Sequence, residues 1–336
     1  MSQQRRGSLN GILALGVALI VYSSLNPSSA PAPRGVAVAI PVAPSSEATW
    51  LALDPNVNPG LQNGLAWDGT VWSNPFPGAQ STTHHTFLSA ANGNDSGARA
   101  LVGYKLFLPH GYGSDTRRYP VIYMLHGRGG DETENGIAFD TGAPAIGVWV
   151  NSGRNSKYQD AAKGSPVYMK EMPETSLIRE LIPHIDANYK TIASRNGRAL
   201  IGFSMGGAGA LRIAFKYPEL FSSVQSASGA FDDNGSNVMR NEPAMMAMMF
   251  NNDPARFEAG IAQSVARVNR ANVLAHNLQI KFWVGTREGL FSDNVALDNL
   301  LRSLGIPHQF FTVENGDHTP PGADAVTWAR QWFIDG

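Results

Sequence analysis

Ala199-Leu200-Ile201-Gly202-Phe203-Ser204-Met205-Gly206-Gly207-Ala208-Gly209-Ala210 is the stretch that decides how this chain folds. Ala199 to Gly202 is a short apolar run of strand type. Gly206 to Tyr217 has the small and apolar spacing of a helix. Between them, Gly202-Phe203-Ser204-Met205-Gly206 fits the pattern G-x-S-x-G. A bare match to that pattern is weak, but its setting here, strand then tight turn then helix, is the one in which a serine is presented as a nucleophile. Such a turn is sharp and strained, and glycines two residues either side of the serine remove side chains that would collide across it. The helix N-terminus behind Ser204 favours negative charge developing beside it.

Working outward, the same alternation continues. Thr86 to Leu88 and Ala100 to Leu108 read as a hairpin around the turn residues Asn92-Gly93-Asn94-Asp95. Val121 to Leu125 and Ala145 to Val150 are short apolar runs of buried-strand type. Leu177, Ile178, Leu181, Ile182 and Ile185 recur at helical spacing, so Thr175 to Tyr189 reads as a helix. Val224 sits in a further strand. Ile280 to Val284 is a strand, Asp293 to Leu304 a helix, Gln309 to Val313 a strand and Ala323 to Phe333 the last helix. Strands alternating with helices predict crossover units and a parallel sheet. Val238 to Val273 breaks the rhythm, with Met245, Met246, Met248 and Met249 in a helical stretch. Its two readings are a core-facing helix and a cap lining an acyl or aromatic pocket, which methionine's adaptable shape would suit.

A serine hydroxyl needs a base to take its proton. His318, in the loop Glu314-Asn315-Gly316-Asp317-His318 between the last strand and the last helix, is the best placed. His84 and His85 are neighbours on a strand and point to opposite faces. His184 lies in a helix, and His276 and His308 sit near element boundaries, where they read as solvated. The third group must be a carboxylate that orients His318, supplied by the loop after Ile280–Val284. Glu288 and Asp293 both qualify. Asp293 has an alternative role as N-cap of the following helix, so Glu288 is preferred. Asp317 is too close to His318 along the chain. The oxyanion needs two N–H donors. Met205, after the nucleophile, is one. Arg128, in the glycine-rich loop His126-Gly127-Arg128-Gly129-Gly130 after Val121–Leu125, is the other. His126 reads as a structural residue that holds this loop by hydrogen bonds.

Other chemistries find no support. No H-E-x-x-H is present, and Asp232-Asp233-Asn234-Gly235 lacks the downstream glutamate of a calcium loop and reads as a turn. No cofactor and no metal are expected. The chain has no cysteine, which excludes a thiol nucleophile and disulfides. With 26 basic and 27 acidic residues it lacks the basic footprint of nucleic-acid binding. Apolar residues make up 43% and charged residues 16%, a core-forming composition.

At the N-terminus, Arg5 and Arg6 precede the apolar stretch Ile12 to Tyr22, and Ser28-Ser29-Ala30 offers small residues for cleavage. Residues 1–30 therefore read as a secretory signal peptide. A spanning helix needs about 20 apolar residues, so an uncleaved anchor is the lesser alternative and no stable membrane anchor is expected after cleavage. Residues 31–78 read as a Pro/Ala/Ser-rich linker and an extended lead-in, and 79–336 as the catalytic domain.

Three marks carry a family resemblance: Tyr119-Pro120-Val121-Ile122-Tyr123-Met124-Leu125-His126-Gly127, Arg179-Glu180-Leu181-Ile182-Pro183-His184-Ile185-Asp186, and Gly202-Phe203-Ser204-Met205-Gly206-Gly207. From about Thr83 to its C-terminus the chain resembles the esterase-D-like family. That family takes in feruloyl esterases, acetyl-xylan-type esterases, S-formylglutathione hydrolases and mycolyltransferases. The resemblance implies an α/β-hydrolase fold: a mostly parallel central sheet flanked by helices, with an antiparallel N-terminal hairpin. It implies Ser204 as nucleophile, His318 as base, and Met205 with Arg128 as oxyanion donors. The family's acid is usually an aspartate three residues after the glycine that ends its strand, and here that place holds Glu288. The implied activity, together with the secretion signal, is feruloyl or acetyl ester hydrolysis on small or polysaccharide-linked plant esters. An acyltransferase of the mycolyltransferase type, and a non-catalytic glycan-binding protein on the same scaffold, are the competing expectations. Trp149, Tyr158 and Phe203 are candidates for stacking on a sugar or phenolic ring, or for core packing.

Overall fold

The computed structural model describes residues 82–93, 99–114, 116–133, 144–231 and 235–333. The expected signal peptide, linker and lead-in lie outside the described residues, as do Asp232, Asp233 and Asn234 of the expected turn. The described residues form one eight-stranded sheet in the order β1-β2-β4-β3-β5-β6-β7-β8. Its strands are β1 (Thr83–Ser89), β2 (Ala100–Phe107), β3 (Val121–Leu125), β4 (Ile146–Val150), β5 (Arg198–Phe203), β6 (Ser223–Ala227), β7 (Gln279–Gly285) and β8 (Gln309–Val313). β1 pairs antiparallel with β2, and β2 with β4, whereas every pairing from β4 to β8 is parallel. This is the mostly parallel sheet with an N-terminal hairpin that the sequence predicts.

All five residues of β3 are buried, as are those of β4 and β6. Strands covered by helices on both faces have no wet side, which is why β3 and β4 read as unbroken apolar runs, whereas β6 buries Ser223, Gln225 and Ser226. One face packs Tyr123, Leu125, Val148 and Leu200 against Leu211 and Phe215. The other packs Ile122, Met124, Ala199 and Ile201 against Ala325, Val326 and Ala329. Truncating a side chain such as Leu125, fully buried here, to alanine costs ~2–5 kcal/mol.

The helix expected over 175–189 is present but interrupted. It begins as α1 (Pro173–Thr175), widens into a π-helical turn over Ser176–Leu181, and resumes as α2 (Ile182–Asn188). Pro183 is the physical reason. It has no N–H to donate four residues back, and its ring clashes with the carbonyl there; a wider turn just ahead of it relieves that clash. α3 (Met205–Lys216) follows β5 directly. The arrhythmic region resolves into α4 (Gly235–Asn241), α5 (Pro243–Phe250), α6 (Pro254–Ala259), α7 (Ala262–Val268) and α8 (Arg270–Ala275). Met245, Met246 and Met249 are buried there with Phe250, Phe257 and Ile261 in a small core of their own, and Met248 faces outward. The core-facing reading therefore holds for three of the four methionines. α9 (Phe291–Ser303) and α10 (Ala323–Arg330) complete the fold. Among the described residues, no helix is long and apolar enough to cross a membrane.

From β3 the chain steps to β4 on one side, then returns across β3 to β5 on the other. The strand order thus reverses between β3 and β5, and ligands in open α/β sheets bind outside the carboxyl ends of the strands at such a point. The Arg128 loop leaves β3 there, and Ser204 leaves β5. β6, β7 and β8 bring Ser228, Glu288 and His318 to the same end of the sheet.

Candidate active site

Ser204 sits at φ 55°, ψ −117°, a left-handed conformation that a serine adopts only where its surroundings impose it. Three backbone bonds do so: Ser204 N–H donates to Ala227 O at 2.9 Å, and Ser204 O accepts from Ala230 N–H at 3.0 Å and Ala208 N–H at 3.1 Å. The flanking glycines have the steric role expected of them. A Cβ on Gly202 would lie 2.0 Å from Gly206 O, and one on Gly206 would lie 2.1 Å from Leu125 O.

His318 Nδ1 and Glu288 Oε2 are 2.6 Å apart. The carboxylate accepts, so Nδ1 carries the proton and Nε2 keeps its lone pair. The Glu288 side chain is 1% exposed, against 42% for His318. Its other oxygen, Oε1, accepts from Ser228 Oγ at 2.6 Å and from Gly285 N–H at 2.7 Å. Both oxygens are therefore fixed, and the imidazole is held by a carboxylate that cannot swing away. Ser228 was not singled out in the sequence; the only local sign is a serine just past a strand end, and its φ of 47° marks a second tight turn.

Asp293 takes neither role considered for it. α9 begins at Phe291 with Leu290 as its N-cap, so Asp293 lies inside the first turn rather than capping it. Its carboxylate meets Ser292 Oγ at 3.4 Å. Asp317 is bound by Arg287 Nε at 3.1 Å and Nη2 at 2.5 Å. This pair bridges the loops that carry Glu288 and His318.

Ser204, Met205, Arg128, Glu288 and His318 line one open cleft of about 710 Å³, together with Lys157, Glu242, Ala230, Gly289 and Leu290. All five residues expected at the site are thus brought together. Met205 is the first residue of α3, where the N–H has no intrahelical acceptor. Arg128 N–H takes part in no backbone hydrogen bond among the described residues. His126 is structural, as expected. It is buried, its Nδ1–H donates to Gly127 O at 2.8 Å, and its Nε2 accepts from Ser152 Oγ at 3.0 Å.

Five further histidines sort by their surroundings. His84 meets Glu132 at 2.7 Å, and His85, next to it on β1, stacks on Tyr104. Burial pushes His85 down to about 4, helped by His84, and His184 falls to about 4 for the same main reason, with His85 adding to it. His276 is half-buried on Asn272 O. His308 departs from the solvated reading: its side chain is 3% exposed, pairs with Asp298 at 2.8 Å and stacks on Phe282. A position near an element boundary did not reveal that α9 and β8 close over it. Trp149 and Tyr158 are buried in the core, but Phe203 is part-exposed, with its ring centroid 4.6 Å from that of His318.

Two cleft residues, Glu242 and Lys157, are not singled out by the sequence. Glu242, the N-cap residue of α5, accepts from Asn155 Nδ2 at 2.7 Å and Lys157 Nζ at 2.8 Å, with Arg128 Nη1 at 3.4 Å. Burial pushes its carboxyl up, but the Lys157 charge and these hydrogen bonds outweigh burial and hold it below the usual range.

The comparisons with known proteins agree with this architecture. Esterase Rv1288 of Mycobacterium tuberculosis is 39% identical over 136 residues, which is 38% of this chain and 29% of that protein. An endo-1,4-beta-xylanase/feruloyl esterase of Xylanibacter ruminicola is 36% identical over 132 residues, 34% of this chain and 18% of that protein. The chain therefore spans less than a third of the length of these relatives. Among solved structures, FphF, a fluorophosphonate-binding serine hydrolase of Staphylococcus aureus, superposes with a TM-score of 0.61 at 17% identity. That match covers 77% of this chain and 100% of FphF, and it shows the fold alone. The family model described as "Putative esterase" matches residues 101–317, well over half of the sequence, and the chain belongs to the Esterase family.

Proposed function

We propose that the protein is a serine carboxylic-ester hydrolase working through an acyl-enzyme on Ser204, with Glu288 and His318 completing the triad. The observation that carries this reading is the fixed Glu288–His318 pair, opening on the same cleft as a serine held in a strained elbow. Ser204 Oγ attacks the ester carbonyl as His318 Nε2 takes its proton. The negative oxygen is received by the N–H groups of Met205 and Arg128. His318 then returns the proton to the leaving alcohol. Water repeats the sequence on the acyl-enzyme, releasing the acid and free Ser204. Glu288 stays ionised and stabilises the imidazolium.

The substrates we infer are feruloyl or acetyl esters of the plant-polysaccharide type. The relative named as a xylanase/feruloyl esterase supports that class, and the open cleft suits an ester on a larger molecule. Export is inferred from residues 1–30, and the N-terminal sequence of protein recovered from the culture medium tests it. Hydrolysis of p-nitrophenyl acetate, methyl ferulate and acetylated xylan by the wild type and by Ser204→Ala tests the rest. Loss of all three with Ser204→Ala is expected. Residual wild-type rates in that variant would overturn the mechanism, and inactivity of the wild type on the last two would overturn the substrate class.

A further inference from the structure

Glu242 comes from the helical region that interrupts the strand–helix alternation, yet its carboxylate reaches the cleft. There it accepts from Asn155 and Lys157, whose segment follows β4. Residues 152–158 in turn brace the loop after β3 that carries Arg128. Ser152 bonds His126 Nε2 at 3.0 Å through its hydroxyl. Gly129 N–H donates to Arg154 O at 2.7 Å, and Tyr158 OH donates to His126 O at 3.2 Å. The backbone of this brace is itself unfavourable, since Lys157 and Tyr158 sit at φ 53° and 54°. Two successive non-glycine residues in that region persist only where side-chain contacts over-determine them. The Lys157 side chain is 10% exposed and that of Glu242 14%, so their ion pair is largely shielded from water and holds Lys157 firmly. Arg128 adds a direct link through its 3.4 Å contact with the same carboxylate.

We propose that Glu242 is a positioning residue for the oxyanion-binding loop, acting through Lys157 and Asn155 to hold Arg128 N–H on the developing oxyanion. This rests on the reading of Ser204 as nucleophile and Arg128 as donor. Its consequence is specific: losing Glu242 weakens binding of the tetrahedral state while leaving ground-state substrate binding nearly intact, because an oxyanion donor acts on charge that appears only in the transition state.

The test compares wild type, Glu242→Gln, Glu242→Asp and Ser204→Ala as full chains. With p-nitrophenyl acetate, Glu242→Gln should lower kcat by about 10- to 100-fold and change KM by less than about threefold. Removing one donor outright costs about 10²–10³, and here the donor is displaced rather than deleted. The affinity for phenylboronic acid, which forms a tetrahedral adduct on a reactive serine, should fall by a similar factor. Glu242→Asp, which keeps the charge, should recover part of both. Should Glu242→Gln fail to fold, Lys157→Gln breaks the same ion pair from the other side and should show the same split. A rise in KM at unchanged kcat, or unchanged boronate affinity, overturns the proposal and makes Glu242 a rim residue. If Ser204→Ala retains activity, the underlying mechanism fails instead. An inactive Ser204→Ala beside an unimpaired Glu242→Gln removes only this inference.

Discussion

Glu288 holds His318 through one oxygen and is itself held through the other by Ser228 and the Gly285 N–H. The acid is buried, the base is half-exposed, and the bond between them decides which imidazole nitrogen faces the cleft. Glu288→Gln turns an acceptor-only group into an amide that can present its NH₂ to His318 and favour the wrong tautomer. Activity on p-nitrophenyl acetate should fall by about 10⁴ in kcat, the size of the corresponding loss in a well-studied triad. Asp293→Asn, in the first turn of α9, should stay within about threefold of wild type, since Glu288 already occupies His318 Nδ1. A crippled Asp293→Asn beside an active Glu288→Gln would reverse the assignment.

The strained serine makes a prediction about stability as well as rate. Ser204→Ala should lower kcat by about 10⁴ or more with the fold intact. It retains a Cβ at φ 55° and so retains the backbone strain. Ser204→Gly removes that Cβ. Relief of ~1–3 kcal/mol is set against ~0.5–1 kcal/mol for the freer unfolded glycine chain. The glycine variant should melt about 2–4 °C above the alanine variant. Equal melting temperatures in differential scanning calorimetry would mean the elbow stores no more strain than the ~0.5–1 kcal/mol that the freer glycine chain costs.

Most of this architecture is legible in the sequence because its physics is local. β3 and β8 fall where the apolar runs end, and the elbow is legible because only glycine fits on either side of Ser204. Glu288 is legible because it follows a strand closely and must come from that loop. Apart from the local start of α9 at Asp293, the failures are matters of which distant segments meet. Asp293 reads as a cap because its residue type favours the N-cap, yet α9 begins two residues earlier, at Phe291. His308 appeared solvated because nothing local reveals Asp298, ten residues earlier, or Phe282 on the neighbouring strand. Glu242 and Ser228 contribute through partners 85 and 60 residues away, and no spacing rule links such pairs.

Glu174 links acid stability to the support beneath the cleft. It is buried with Arg212 against it, and it accepts hydrogen bonds from Lys216 and Tyr217. Arg212 also donates to Tyr158 O at 2.8 Å. Burial pushes the Glu174 carboxyl up, but the Arg212 charge and the Lys216 and Tyr217 bonds outweigh it, and it comes down to about 2 from 4.5. A carboxyl lowered on folding adds stability above its unfolded value and loses it as pH falls through its folded one. The contribution is therefore complete above about pH 4.5 and disappears towards pH 2. Glu174→Gln should cost ~3–5 kcal/mol at neutral pH by leaving Arg212 without its buried counter-charge. Urea unfolding across the pH range should show the gap to wild type shrinking between pH 4.5 and 2. A gap that stays constant across that window would show that Glu174 is not the group being titrated.

Phe203 is the one aromatic residue of the three candidates that remains beside the cleft chemistry, and its tilted ring contact with His318 admits a direct test. If the ring supports the imidazole, its loss affects every substrate equally, because the base is common to all of them. If it stacks on the acyl group, only aromatic esters suffer. The 4.6 Å centroid separation favours the first role, since a ring already in contact with His318 has that face occupied. Phe203→Leu keeps the bulk and removes the aromatic face. An aromatic contact is worth ~0.5–1.5 kcal/mol beyond its area, or about twofold to tenfold in rate. We expect a loss of that size in kcat for p-nitrophenyl acetate and methyl ferulate alike, with KM nearly constant for both. A rise in KM confined to methyl ferulate would show that Phe203 reads the substrate and that Glu288 alone orients His318.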